Sequence, residues 1–94
     1  MTFRHVVLFR VRDDVAGPEL SSAMKGLKRL GDSPGIVEWT IELSLDERKG
    51  RIVIEDATFV DVDAFHAWRS GAAHREIASQ MSEIADWLVG DWQA

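Results

Sequence analysis

The sequence predicts an α+β domain of ferredoxin-like type, a four-stranded antiparallel sheet with helices on one face. Three observations carry this. Apolar residues recur with period two in four segments and at helical spacing between them, in the order β-α-β-β-α-β. The charged run Asp46-Glu47-Arg48-Lys49-Gly50 joins two alternating segments as a hairpin turn joins strands. Finally, 94 residues suit one domain, spanning residues 1–94, and leave no room for a second.

The first strand is read at His5-Val6-Val7-Leu8-Phe9-Arg10-Val11, a β-branched and aromatic run between charged residues. Alternation puts His5, Val7, Phe9 and Val11 on one face and Val6 and Leu8 on the other. Both faces are apolar in the middle, so the strand needs cover on both sides. Asp13 and Asp14 open a turn, and Gly17-Pro18-Glu19 starts a helix, with proline suited to the first helical position. Leu20, Ala23, Met24, Leu27 and Leu30 form one apolar stripe, with Lys25, Lys28 and Arg29 off it. Gly31 and Pro34-Gly35 stop the helix, and Gly26 is an interior weakness of about 1 kcal/mol relative to alanine.

The second strand is expected over Ile36–Leu45, with Val37, Trp39, Ile41, Leu43 and Leu45 on its apolar side. The third runs from Arg51 to Val60, with Ile52, Ile54, Asp56 and Thr58 opposed to Val53, Glu55, Ala57 and Phe59. Asp61 and Asp63 are candidate N-caps for a second helical region. Ser70-Gly71-Ala72 interrupts its period before Ile77, Ala78, Met81 and Ile84 resume it, so a kinked or broken helix is expected. Asp86-Trp87-Leu88-Val89-Gly90-Asp91-Trp92 reads as the last strand. Helices on one side leave an apolar sheet face exposed, and a patch of that kind marks an interface. A homodimer with its sheets face to face is the expectation.

Composition excludes several function classes. Sixteen Asp and Glu against eleven Lys and Arg give a net charge of −5, and the basic residues are scattered, which argues against a nucleic-acid partner. The longest strongly apolar run, Val6–Phe9, is far short of the roughly 20 residues that span a bilayer. The N-terminus carries no apolar signal-like region, so a cytoplasmic location and no membrane partner are expected. Without cysteine there is neither a disulfide nor a thiolate metal site. Phosphate-cradling glycine loops and nucleophile motifs are also missing.

Arg4-His5-Val6-Val7-Leu8-Phe9-Arg10, Ala57-Thr58-Phe59, Ala64-Phe65-His66-Ala67-Trp68 with His74 six residues on, and Leu88-Val89-Gly90-Asp91-Trp92 occur in this order within 94 residues. Over essentially its whole length the chain thereby resembles the stress-responsive dimeric α/β-barrel (Dabb) domains. The resemblance implies a ferredoxin-like monomer pairing into a dimeric α/β barrel, with a mostly apolar cavity between sheet and helices. Most such proteins have no established activity. Plant relatives include a polyketide cyclase that performs an aldol condensation without a cofactor, using a tyrosine and a histidine. The histidine falls on His74 and the tyrosine on Trp68, and this chain contains no tyrosine. Indole N–H only donates, whereas a phenol donates, accepts and ionises, so Trp68 can wall a pocket without replacing the acid–base group. The family's His-Pro-x-His segment stands here as Gly71-Ala72-Ala73-His74. Some members hold a divalent ion in the loop after the first helix.

The candidate catalytic residues are therefore His74, as general base, and His5, which shares a strand face with Val7 and Phe9. The alternatives are a partly exposed helix histidine beside Arg75 and Glu76, and a histidine capped at the sheet margin. Val7, Phe9, Trp68 and Trp87 are the candidate ligand-binding residues, for a small hydrophobic or aromatic molecule. His66 is expected to point away from Phe65 and Trp68. The three histidines lack metal-ligand spacing, so no metal and no cofactor are expected. Of Glu55 and Asp56, one must meet a covered face, either as a general base or paired with Arg10, Arg51 or a cross-strand neighbour. The readings left open are cofactor-free proton transfer, a cofactor-independent monooxygenase, and a structural stress protein with a filled core.

Overall fold

In the computed structural model, which describes residues 1–94, the chain forms β1 (Phe3–Val11), α1 (Gly17–Leu30), β2 (Ile36–Leu43), β3 (Ile52–Phe59), α2 (Val62–Arg69), α3 (Ala72–Ser82) and β4 (Ala85–Gln93). The four strands make one antiparallel sheet in the order β2-β3-β1-β4. The ferredoxin-like prediction holds, with three helices rather than two. The break falls where the helical period fails. Asp61 caps α2 by accepting a hydrogen bond from the Ala64 N–H at 2.8 Å, and Gly71 is the N-cap of α3.

Alternate residues of β1 decide which sheet face is covered. Phe3, His5, Val7, Phe9 and Val11 are all buried, whereas Leu8 and Arg10 are exposed. The helices therefore lie over the odd-numbered face. One core cluster joins Val7, Phe9, Val11, Val53 and Ile41 to Leu20 and Leu27 of α1 and Met81 of α3. A second joins Phe3, Ala57 and Phe59 to Leu30, Phe65 and Trp68. On the uncovered face Val6, Leu8, Ile52, Ile54 and Leu88 lie side by side, with Leu8 40 % and Leu88 76 % exposed.

Each strand differs at one or both ends from the sequence reading, β3 by running Ile52–Phe59 rather than Arg51 to Val60. β1 begins at Phe3, and β4 reaches from Ala85 to Gln93. β2 ends at Leu43, and Leu45 stands fully exposed beyond it instead of sharing its apolar face. Val37 also leaves that face, because the β2–β3 register shifts between Ile36 and Glu38; such an irregularity puts the following residue out of phase.

Two glycines are explained by close approach. A Cβ on Gly31 would sit 2.3 Å from the Trp39 ring, whose Nε1–H donates to the Leu27 carbonyl at 3.2 Å. A Cβ on Gly26 would sit 3.1 Å from Ile77, so the weakness in α1 is also where a side chain of α3 packs close. No helix is long and apolar enough to cross a membrane.

Candidate active-site cleft

The register of three strands assembles one wall of a cleft. Along β1, His5, Val7 and Phe9 rise from the helix-covered face. Their β4 partners are Asp91, Val89 and Trp87, and their β3 partners are Ala57, Glu55 and Val53. Over this wall lies α3, which contributes His74, Ile77, Ala78 and Met81, the i, i+3, i+4 and i+7 positions of one helix face. The space between them is about 280 Å³ and is completed by Leu27, Leu30 and Arg69. It is graded along the strands. His5, Glu55, Asp91, His74 and Arg69 are its polar groups, and Phe9, Trp87, Val89 and Met81 belong to its apolar wall.

His5 is 5 % exposed and is held on both sides. Its Nε2 is 3.2 Å from Glu55 Oε2 and its Nδ1 2.5 Å from Asp91 Oδ1. Opposite His5 stands Ala57, too small to fill the space, and Glu55 crosses that gap diagonally. A ring with a carboxylate at each nitrogen is satisfied on both sides only as imidazolium. Burial opposes that charge, but the hydrogen bonds and charges of Glu55 and Asp91 outweigh it and hold the His5 pKa above its ordinary value.

His74 sits in the first turn of α3, edge-on to the Trp68 ring with centroids 4.6 Å apart. Its pKa is pushed down, first by burial and then by the positive charges of Arg69 and His5. The exposed amides of a helix N-terminus act in the same direction. The two histidines of one cleft are thus driven towards opposite charge states.

The other sequence candidates divide. Val7 and Phe9 form the buried floor, and Trp87 stands at the β4 edge with its ring 5.3 Å from that of Phe9. Trp68 lies behind His74 rather than on the wall of this cleft. It is 7 % exposed, packs against His5, Trp39 and Phe59, and donates its Nε1–H to the Leu30 carbonyl at 3.3 Å. That donor is engaged within the core, and the ring faces a separate shallow groove beside Pro34 and Ala64. His66 is exposed on α2.

Glu55 takes the covered face and Asp56 the open one, where Asp56 pairs with Arg4. Of the partners expected for Glu55, the two arginines do not reach it and a cross-strand neighbour does. Arg51 donates to the Arg12 and Val15 carbonyls, and Arg10 to that of Lys49. Its partner is His5. Asp91, Arg69, Ile77 and Met81 were not singled out as site residues from the sequence. The signals that mark them are the alternation of Asp91 with Val89 and Trp87, and the helical spacing from His74 to Met81. No three His, Asp or Glu side chains converge in a metal-ligating arrangement.

Residues 3–94 match the family described as the Stress responsive A/B Barrel Domain, Dabb. The chain belongs to the Dabb family. No curated protein matches it. Among solved structures this Dabb domain is similar to a dimeric ferredoxin-like protein of unknown function from Thermobifida fusca, at 20% identity and a TM-score of 0.88, covering 100% of this chain and 92% of that one. It is also similar to a hydroxynitrile lyase from Passiflora edulis, at 18% identity and TM-score 0.84, covering 97% and 91%. SnoaB, a cofactor-independent oxygenase from Streptomyces nogalater, aligns at 21% identity and TM-score 0.78, covering 99% and 92%. At these identities the likeness is one of fold.

Proposed function

We propose that this Dabb domain works as a homodimer whose subunits each bind a small hydrophobic or aromatic carbonyl compound in the cleft and move a proton on it without a cofactor. The observation that carries the reading is the pairing, on one apolar-walled cleft, of a clamped His5 and an unclamped His74. In this reading the apolar body of the ligand lies over Val7, Phe9 and Trp87, and its carbonyl points towards His74 and Arg69. Neutral His74 accepts the proton from the carbon next to the carbonyl and becomes imidazolium. The electron pair of the broken C–H bond moves into an enolate, whose charge Arg69 and the His5 imidazolium face. Returning the proton to carbon completes an isomerase-like cycle; adding the enolate to a second carbonyl, whose new alkoxide oxygen then takes the proton back from His74, completes a cyclase-like one. Trp68 acts through packing alone, by fixing the His74 ring.

A filled-core stress protein would leave no such space. The cleft of about 280 Å³ is near the lower end of ligand pockets, roughly 300 Å³. The homodimer reading is supported by the apolar uncovered sheet face and by the dimeric Thermobifida fusca relative.

The test follows the proton. Aromatic ketones are screened by thermal shift, and those that stabilise the protein are incubated with it in D2O. Deuterium entering the carbon next to the carbonyl is read by NMR. His74→Ala is expected to slow this exchange by about 10²–10⁴-fold, the usual contribution of a positioned base. Exchange at an unchanged rate in that variant removes His74 from the mechanism.

A further inference from the structure

Glu55 has no part in the proton transfer assigned to His74, yet it is 3 % exposed in the middle of a strand. A buried carboxylate is costly unless paired, so its placement calls for a reason. From β3 it reaches Nε2 of His5 on β1, while Asp91 from β4 holds Nδ1. One imidazole therefore ties three neighbouring strands, and neither nitrogen is left for a ligand. The ring packs against Phe65 and Trp68 of α2. Beyond the two carboxylates, the ionisable groups sharing the cleft with it are Arg69 of α2 and His74 of α3, and α1 presents only Leu27 and Leu30.

We propose that Glu55 is a positioning residue of the cleft: with Asp91 it clamps His5 as a fixed imidazolium, which removes His5 from proton exchange and leaves His74 as the only exchanging base. This rests on the pairing of the two histidines proposed above. Two unclamped imidazoles on one small cleft would share the proton and blur which of them is the base. With the clamp, the charges of Glu55, Asp91, His5 and Arg69 balance, while the positive groups that act on His74 are His5 and Arg69.

Glu55→Gln keeps the shape and removes the charge, and the NMR titration of the imidazole nitrogens reads the result in ligand-free protein. In the wild type, His5 keeps both protons through neutral pH and His74 titrates below its ordinary range. In Glu55→Gln the His5 midpoint falls by about one pH unit or more, a tenfold weaker hold on the proton. The His74 midpoint across the cleft shifts, because His5 then exchanges its own proton towards the pH range in which His74 titrates. Asp91→Asn, at the more accessible edge, shifts both in the same directions by less, and it carries the test if Glu55→Gln does not fold. A merely structural clamp lowers Tm and leaves His74 where it was. An unmoved His5 midpoint, or a moved His5 with an unmoved His74, overturns the proposal. No ligand enters this titration, so its failure is separate from a failure of the deuterium exchange, which alone tests His74 as a base.

Discussion

Replacing His5 by leucine is the most direct test of the electrostatics of the cleft. The substitution keeps an apolar body on the floor but leaves Glu55 buried without its partner. Removing one member of a buried pair costs about 3–5 kcal/mol, because the remaining charge is neither solvated nor compensated. The cleft lets water approach Glu55, so the lower end applies, about 3 kcal/mol at pH 7. For a domain of this size each kcal/mol moves Tm by roughly 4–8 °C, so a fall of roughly 12–24 °C is expected. Urea denaturation followed by tryptophan fluorescence measures the free energy, and calorimetry measures Tm. One control isolates the cause. The double variant His5→Leu/Glu55→Leu recovers most of the loss, since an apolar pair has no buried charge to carry. A single variant within about 0.5 kcal/mol of wild type at pH 7, small against the cost of a lone buried charge, would falsify the clamp as described.

Three further outcomes are expected. The two histidines place opposite slopes on the pH dependence of stability. His5 has a raised folded-state pKa, so its contribution is complete below about pH 6.5 and is lost as pH rises through the raised value. His74 has a lowered one, so its contribution is present above about pH 6.5 and is lost as pH falls through the lowered value. Urea midpoints measured from acid to alkaline pH should lose the first slope in His5→Leu and the second in His74→Ala. Gly31→Ala drives a Cβ into the Trp39 ring and breaks its hydrogen bond to Leu27. About 1 kcal/mol is expected for the bond and about 1–3 kcal/mol for the repacking, with a change in near-UV circular dichroism; wild-type stability would contradict the close contact. Leu88→Asp on the uncovered sheet face is expected to turn a dimer into a monomer in size-exclusion chromatography with light scattering, and an unchanged mass assigns the interface elsewhere.

Much of the fold was legible because local chemistry and tertiary need agree. The period-two run at β1, the apolar stripe of α1, the charged turn before β3 and the Asp61 cap each name their element from side chains a few residues apart. Misreadings came where a long-range fit overrides the local pattern. Val37 and Leu45 continue the alternation of β2 in sequence, but the register shift and the early strand end put both into solvent. Gly26 looks like a weak point of a helix until Ile77 of α3 is seen against it, and Gly31, which ends α1 as expected, also makes room for Trp39 of β2. The site was legible by residue type only in part. His74, His5, Val7, Phe9 and Trp87 stand on the cleft, while Trp68 stands behind it.

By itself the sequence determined the order of elements, the two faces of β1 and β3, and the candidate histidines, since each follows from spacing along the chain. Only the tertiary structure decided which face the helices cover, and with it that Glu55 is buried and Asp56 is not. It also decided that Glu55 meets His5 rather than an arginine, and that Asp91, 86 residues from His5 in sequence, closes the other side of the ring. The physical reason is that a pKa depends on which charges lie within a few ångströms and how much water remains there. Strand register sets those distances, and register is a property of the assembled sheet.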